Sequence, residues 1–130
     1  MRLFTVDEAN ALLPSIKDLL AEFNTLRRQL LRTAQELETL EQQRDRSNIL
    51  TLARNLRLLR ERLGADREAT RAALEKITTL GVQVKGLEPA LIDFPSRRGG
   101  RIVLLCWQEG EPGVGHWHDI EDGFAGRQPL

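Results

Sequence analysis

The chain has 130 residues, of which 29% are charged, 41% hydrophobic and 5% aromatic. That balance suits one modest helix-rich domain with a large solvated surface and excludes a disordered tail. Nineteen basic residues cancel nineteen acidic ones, so no bulk field draws in nucleic acid or anionic lipid, and neither nucleic acid nor a membrane is expected as a partner.

The lone Cys106 rules out a disulfide framework. The opening MRLFTVDEANALLP carries acids where a secretory leader needs an apolar stretch. No apolar run approaches the ~20 residues that span a bilayer. A cytoplasmic location is therefore expected. Charge is uneven along the chain. After Arg101 the acids Glu109, Glu111, Asp119, Glu121 and Asp122 face a single base, Arg127, whereas Arg54, Arg57, Arg60 and Arg62 cluster within one helical segment.

Thr5-Val6-Asp7-Glu8 reads as a capping box: the threonine oxygen accepts from the N–H of residue 8 and Glu8 reaches back. Leu3 or Phe4 is placed to staple onto the next turn. Pro14 lacks an N–H and predicts a kink near Asn10 to Leu13, with a short lead-in before the main rod. From Ile16 apolar residues recur at Leu20, Phe23, Leu26, Leu30, Ala34, Leu37 and Leu40, a spacing close to a heptad. A second run holds Ile49, Leu52, Leu56, Leu59, Leu63, Ala73, Ile77 and Leu80. The polar stretch from Gln42 to Asn48 turns the chain between them, with Ser47 as N-cap of the second helix and Gly81 as its C-terminal stop.

In an antiparallel hairpin with its turn near Arg46, facing residues have numbers summing to about 92 or 93. Apolar partners then fall at Ile16 and Ile77, Leu20 and Ala73, Leu30 and Leu63, Ala34 and Leu59, and Leu37 and Leu56. Charges fall in step as Lys17 with Glu75, Glu22 with Arg71, Arg32 with Glu61, Glu36 with Arg57 and Glu38 with Arg54. The match lapses at Gly64, Ala65, Asp66, Arg67 and Thr70, where the second helix either kinks or gives way to a third helix over Arg67 to Leu80. Leu19, Leu31, Leu50, Leu58 and Leu74 lie off the seam. Either a homodimer forming a four-helix bundle or the β unit alone must cover them.

After Gly81 the period changes to two. Val82 to Lys85 alternates as a strand, Ala90 to Phe94 forms another that ends at Pro95, and Arg97-Arg98-Gly99-Gly100 is turn chemistry. Ile102 to Trp107 is apolar on both faces and is predicted to be a central, doubly covered strand. Val114 to His118 supplies a last strand after a glycine- and proline-containing loop. The expected fold is α+β: a long antiparallel helical hairpin over residues 1–81, then a small antiparallel meander of three or four strands over 82–130, together one structural domain.

The C-terminal stretches Leu80-Gly81-Val82-Gln83-Val84-Lys85, Leu91-Ile92-Asp93-Phe94-Pro95, Val103-Leu104-Leu105-Cys106-Trp107, Gly115-His116-Trp117-His118 and Gly123-Phe124-Ala125-Gly126-Arg127 resemble an uncharacterised bacterial family, domain of unknown function 2203. The opening from Phe4 to Pro14 resembles that family's N-terminal motif. The resemblance spans essentially the whole chain, with position 116 a departure: histidine stands where an apolar or aromatic residue is expected. It implies a small bacterial cytoplasmic protein and brings no activity with it.

His116 and His118 fall on one face of a strand and, with Asp119 and Glu121, supply imidazole and carboxylate donors for a divalent transition metal. Without a metal, His118 donating to a nearby carboxylate and a solvated His116 account for the same residues. Arg127 offers a bidentate fork to an anion, or else an internal salt bridge to Asp119, Glu121 or Asp122 that pins the tail. Trp117 is placed to stack on a ligand or to pack in the core. Cys106, within a Leu-Leu-Trp run, reads as buried and inert. No catalytic residue is assigned. Two functions compete: a non-catalytic interaction or scaffold module built on the coiled-coil-like hairpin, self-associating as a homodimer or binding another protein, and a small-anion- or metal-binding protein with its site at His118, Arg127 and Trp117.

Overall fold

The computed structural model describes residues 1–43 and 48–130. Ser47 and the centre of the predicted turn lie outside the described residues. Helix α1 spans Val6–Glu41 and helix α2 spans Ile49–Thr78, and the two pack together. Five strands follow: β1 Gln83–Leu87, β2 Ala90–Arg98, β3 Arg101–Gln108, β4 His116–Asp119 and β5 Gln128–Pro129. They form one antiparallel sheet in chain order. The fold is α+β, a helical hairpin followed by a meander.

The capping box forms as the residues dictate: Thr5 N donates to Glu8 Oε1 at 3.1 Å and Glu8 N to Thr5 Oγ1 at 3.1 Å. The Thr5 N–H holds the Glu8 carboxyl below its ordinary range. Pro14 does not divide α1. Its missing N–H removes one helical bond, while Ala9, Leu13, Ile16 and Leu20, on both sides of it, are all buried in one core. Asn48 Oδ1 accepts from Thr51 N at 3.2 Å and caps the start of α2.

Nor does Gly64 break α2. Its α-carbon faces open space, so the glycine costs about 1 kcal/mol of helix propensity and disturbs no packing. Less exposed residues recur at Leu52, Leu56, Leu59, Leu63, Asp66, Thr70, Ala73, Ile77 and Leu80, alternating steps of four and three. Two members of this seam are polar and both are satisfied. Thr33 Oγ1 donates to Asp66 Oδ2 at 2.6 Å, and Thr70 Oγ1 to the Asp66 carbonyl at 2.7 Å.

The contacts across the hairpin differ in register from those expected. Glu36 meets Arg62 at 2.6 Å, not Arg57, which lies 4.0 Å from Glu61 on its own helix. Glu41 meets Arg60 at 3.4 Å. Helix α2 ends where Gly81 takes a φ of +96°, a conformation that favours glycine. A β-carbon there would also stand 3.0 Å from Arg2 Cβ.

Pro95 lies within β2 instead of ending it, paired with Leu104 of β3. The reason is directional. A residue's N and carbonyl point to the same side of a strand, and the Pro95 carbonyl accepts from Phe4 N at 2.7 Å. That side is free of β1, whose pairing stops at Gln83 opposite Asp93, so β2 loses no ladder bond at the proline. Gly99 and Gly100 both have positive φ, +58° and +78°, as a two-residue type I′ hairpin turn requires.

The described residues divide into two compact units: Met1–Leu20 with Glu75–Leu130, and Ala21–Leu74. In the first, Phe4, Ile16, Ile77, Ile92, Phe94, Leu105, Trp107 and Trp117 share one buried core, with Phe4 edge-on to Phe94 at 5.4 Å. In the second, Phe23, Leu37 and Leu63 are buried. Leu19 packs against the first unit's core and Leu74 is half-buried, whereas Leu31, Leu50 and Leu58 are exposed. Among the described residues, no helix is long and apolar enough to cross a membrane.

Candidate functional site

Alternation along the strands sends Ile92, Phe94, Val103, Leu105, Trp107 and Trp117 into the helix-covered core. The residues between them, Asp93, Leu104, Cys106, His116 and His118, therefore lie on the opposite face. Register brings them together: Cys106 sits opposite both Asp93 and His116, and Leu104 opposite His118. Cross-strand partners share a face, so three strands deliver one carboxylate, one thiol and two imidazoles to adjacent positions.

Asp93 and His118 are only 2% and 3% exposed. His118 Nε2 lies 3.1 Å from Asp93 Oδ2, and its Nδ1 lies 2.8 Å from the Asp119 carbonyl. A carbonyl only accepts, so Nδ1 carries a proton. Nε2 is thereby left facing the Asp93 carboxyl, and the two buried groups satisfy each other. Burial first, and then the Asp93 carboxylate, push the Cys106 thiol up to about 12. Asp93, Cys106 and His118 each place a potential ligand atom within 4.8 Å of the other two.

These three residues line a cavity of about 240 Å³. Leu91, Leu104 and Lys85 of the strands, and Ile120, Asp122 and Phe124 of the C-terminal arm, complete its lining. The arm is held by β5, which pairs with β4, and by Leu130 N donating to the Gly115 carbonyl at 3.0 Å. The 3-10 turn Phe124–Gly126 lies between.

Arg127 pins the same arm. Its Nη2 is 2.6 Å from Glu111 Oε1, 3.2 Å from His116 Nδ1 and 3.4 Å from the Cys106 carbonyl, and its guanidinium covers the Phe124 ring at 4.6 Å. Its Nε is buried without a hydrogen-bond partner. Guanidinium has no acceptor, so His116 Nδ1 presents a lone pair to it. Glu111 Oε1 also accepts from Gln108 N at 2.7 Å. Burial opposes ionisation of Glu111, but the Arg127 and Gln108 hydrogen bonds outweigh it and hold the carboxyl below its ordinary range.

The residues nominated from sequence therefore separate. His118 belongs to the cavity. His116 belongs to the Glu111–Arg127 cluster beside it, its Nδ1 3.5 Å from Glu111 Oε2. Asp119 turns its carboxylate to Arg101 at 3.0 Å, and Glu121 is exposed on the following turn. Trp117 faces the core on the other side of the sheet, with Arg98 and Arg101 over its ring at 4.7 and 5.9 Å. The salt-bridge partner of Arg127 is Glu111 and not one of the three acids nearer in sequence. Trp107 packs as a core tryptophan, its indole N–H on the Glu111 carbonyl at 3.1 Å.

Asp93 was missed. Its signal was legible in principle: a carboxylate midway along an apolar strand, between Ile92 and Phe94, is either exposed or paired at a buried site.

No curated protein and no solved structure matches the chain. The family model described as "Uncharacterized conserved protein (DUF2203)" matches residues 2–130. The chain, with its buried carboxylate–imidazole–thiol cluster, belongs to that family.

Proposed function

We propose that this chain is a non-catalytic binding protein whose ligand site is the cavity under the C-terminal arm. One observation carries the reading: Asp93, Cys106 and His118 are buried, yet they border an open volume of about 240 Å³. Polar residues retained for stability alone are packed shut, whereas polar groups converging on a cavity are the usual make-up of a small-ligand site. The volume admits an ion or a molecule of a few non-hydrogen atoms. Arg127 already holds Glu111 at 2.6 Å, outside the residues that line the cavity. His118 has both nitrogens engaged and Cys106 keeps its proton, so neither is poised as base or nucleophile. The unpaired thiol suits the reducing cytoplasm, the location we assign.

The test is a backbone-amide NMR titration of tag-free protein with acetate, phosphate, imidazole and zinc in turn. The reading expects at least one probe to shift the Asp93, Cys106, His118 and Phe124 signals together. Silence of those signals with all four probes removes it.

A second reading concerns the unit Ala21–Leu74. Leu31 of α1 and Ile49, Leu50 and Leu58 of α2 stand 45–82% exposed there, and exposed large apolar side chains gain from cover by a partner. The heptad-spaced seam of α2 supports a coiled-coil-like hairpin. We assign this surface to self-association with a second copy of the chain.

A further inference from the structure

We propose that Asp93, Cys106 and His118 together hold a first-row transition-metal dication of the zinc class, an inference that rests on reading the cavity as a ligand site and names its ligand. The donor set is one carboxylate oxygen, one sulfur and one imidazole nitrogen, mutually within 4.8 Å. Thiolate with imidazole selects zinc, cobalt or a similar ion over magnesium or calcium, which prefer all-oxygen shells.

One of the three ligand spacings is already close to what an ion needs. An ion bonded to two ligands at ~2.0 Å each, in tetrahedral geometry, separates them by about 3.3 Å. His118 Nε2 and Asp93 Oδ2 stand 3.1 Å apart, so they part only slightly to admit it. Orientation is also in place. The Nδ1 proton of His118 is committed to the Asp119 carbonyl at 2.8 Å, which aims Nε2 at the cluster. Metal-binding histidines are held by the same kind of outer contact.

Three protein ligands from three strands leave a fourth tetrahedral position, and the cavity bordered by Phe124 and Asp122 is the space beside it. Water or a small ligand fills that position.

The experiment uses the full chain without a histidine tag, stripped with chelator and titrated with cobalt(II). One equivalent is expected to give the intense visible bands of a four-coordinate ion together with a thiolate-to-cobalt charge-transfer band, both bleached by zinc. Cys106→Ser should abolish the charge-transfer band, and Asp93→Asn and His118→Gln should each weaken binding at least tenfold. His116→Ala, outside the cluster, should bind as the parent does. Should a variant fail to fold, the charge-transfer band of the parent still decides whether the thiolate is a ligand. No cobalt uptake, or a spectrum unchanged in folded Cys106→Ser, overturns the metal. If acetate, phosphate or imidazole shifts the cavity's NMR signals while no metal binds, only the metal inference falls. If nothing binds, the ligand-site reading falls with it.

Discussion

The Thr33 hydroxyl donates to the Asp66 carboxylate across the hairpin at 2.6 Å. Thr33 is fully buried, and the pair sits in a mostly apolar seam, with Leu63 and Ala73 among its neighbours along α2. A polar pair in such a seam trades stability for register, because any slip leaves both groups unpaired. Thr33→Val should therefore destabilise the chain by about 1–3 kcal/mol, by stranding a partly buried carboxylate. The double change Thr33→Val with Asp66→Leu should recover most of that loss, since an apolar pair of similar volume is often neutral or better. Urea unfolding of the single and double variants measures both. A neutral Thr33→Val would show that the carboxylate finds water and that register is set elsewhere.

The same pair shows where sequence reading stops. The leucine spacing identified both helices, and the strand alternation identified the meander, because periods of 3.5 and 2 are local properties of the chain. The expected helix register follows from a turn near Arg46 with apolar and charged partners in step, and its charged partners are long exposed side chains. Such pairs are individually weak and accept several partners, so Glu36 could be matched to Arg57 as readily as to Arg62. The missing donor of Pro95 predicts a strand end, but which edge of β2 that donor would face depends on where β1 ends. The site was half legible. His118 stood out as a histidine near acids, whereas its partner Asp93 is 25 residues away and reaches it only through the register of β2, β3 and β4.

Glu111 sets an acid limit on the C-terminal arm. Its carboxyl titrates lower in the folded chain than in the unfolded one, so the stability it contributes is present above the unfolded carboxylate range. That contribution is lost as pH falls through the folded value. Acidification should accordingly lower the melting temperature more steeply for the parent than for Glu111→Gln, and the two curves should converge at low pH. Parallel curves would mean that the Arg127–Glu111 contact carries no net pH-dependent stability.

Cys106 sets the alkaline limit with the opposite sign of proton change. The folded thiol is pushed up to about 12 from an ordinary 9.0. Its contribution is fully present below the unfolded value and is lost as pH rises from there through the folded value. At pH 8 the native thiol should resist iodoacetamide and react once urea unfolds the chain, because the thiolate is the nucleophile and the folded state withholds it. Cys106→Ala should flatten the fall in stability above pH 9. Rapid alkylation of native protein at a rate near that of a free thiol would contradict the burial of this residue.

The hairpin surface yields a prediction about assembly. Leu50 is 82% exposed and Leu31 57%, so full cover by a second copy contributes roughly 1–2.5 kcal/mol at Leu50 and about 1–1.5 kcal/mol at Leu31. Neither is among the buried residues of its own unit, so replacing both with glutamate should leave the melting temperature of the isolated chain nearly unchanged. Losing about 3 kcal/mol of interface weakens a dimer roughly 100-fold, and like charges brought together weaken it further. Light scattering across a concentration series should show a dimer for the parent and a monomer for Leu31→Glu with Leu50→Glu. A parent that stays monomeric at high concentration would leave these leucines without a partner of their own kind, and would turn the search for what covers them toward other proteins.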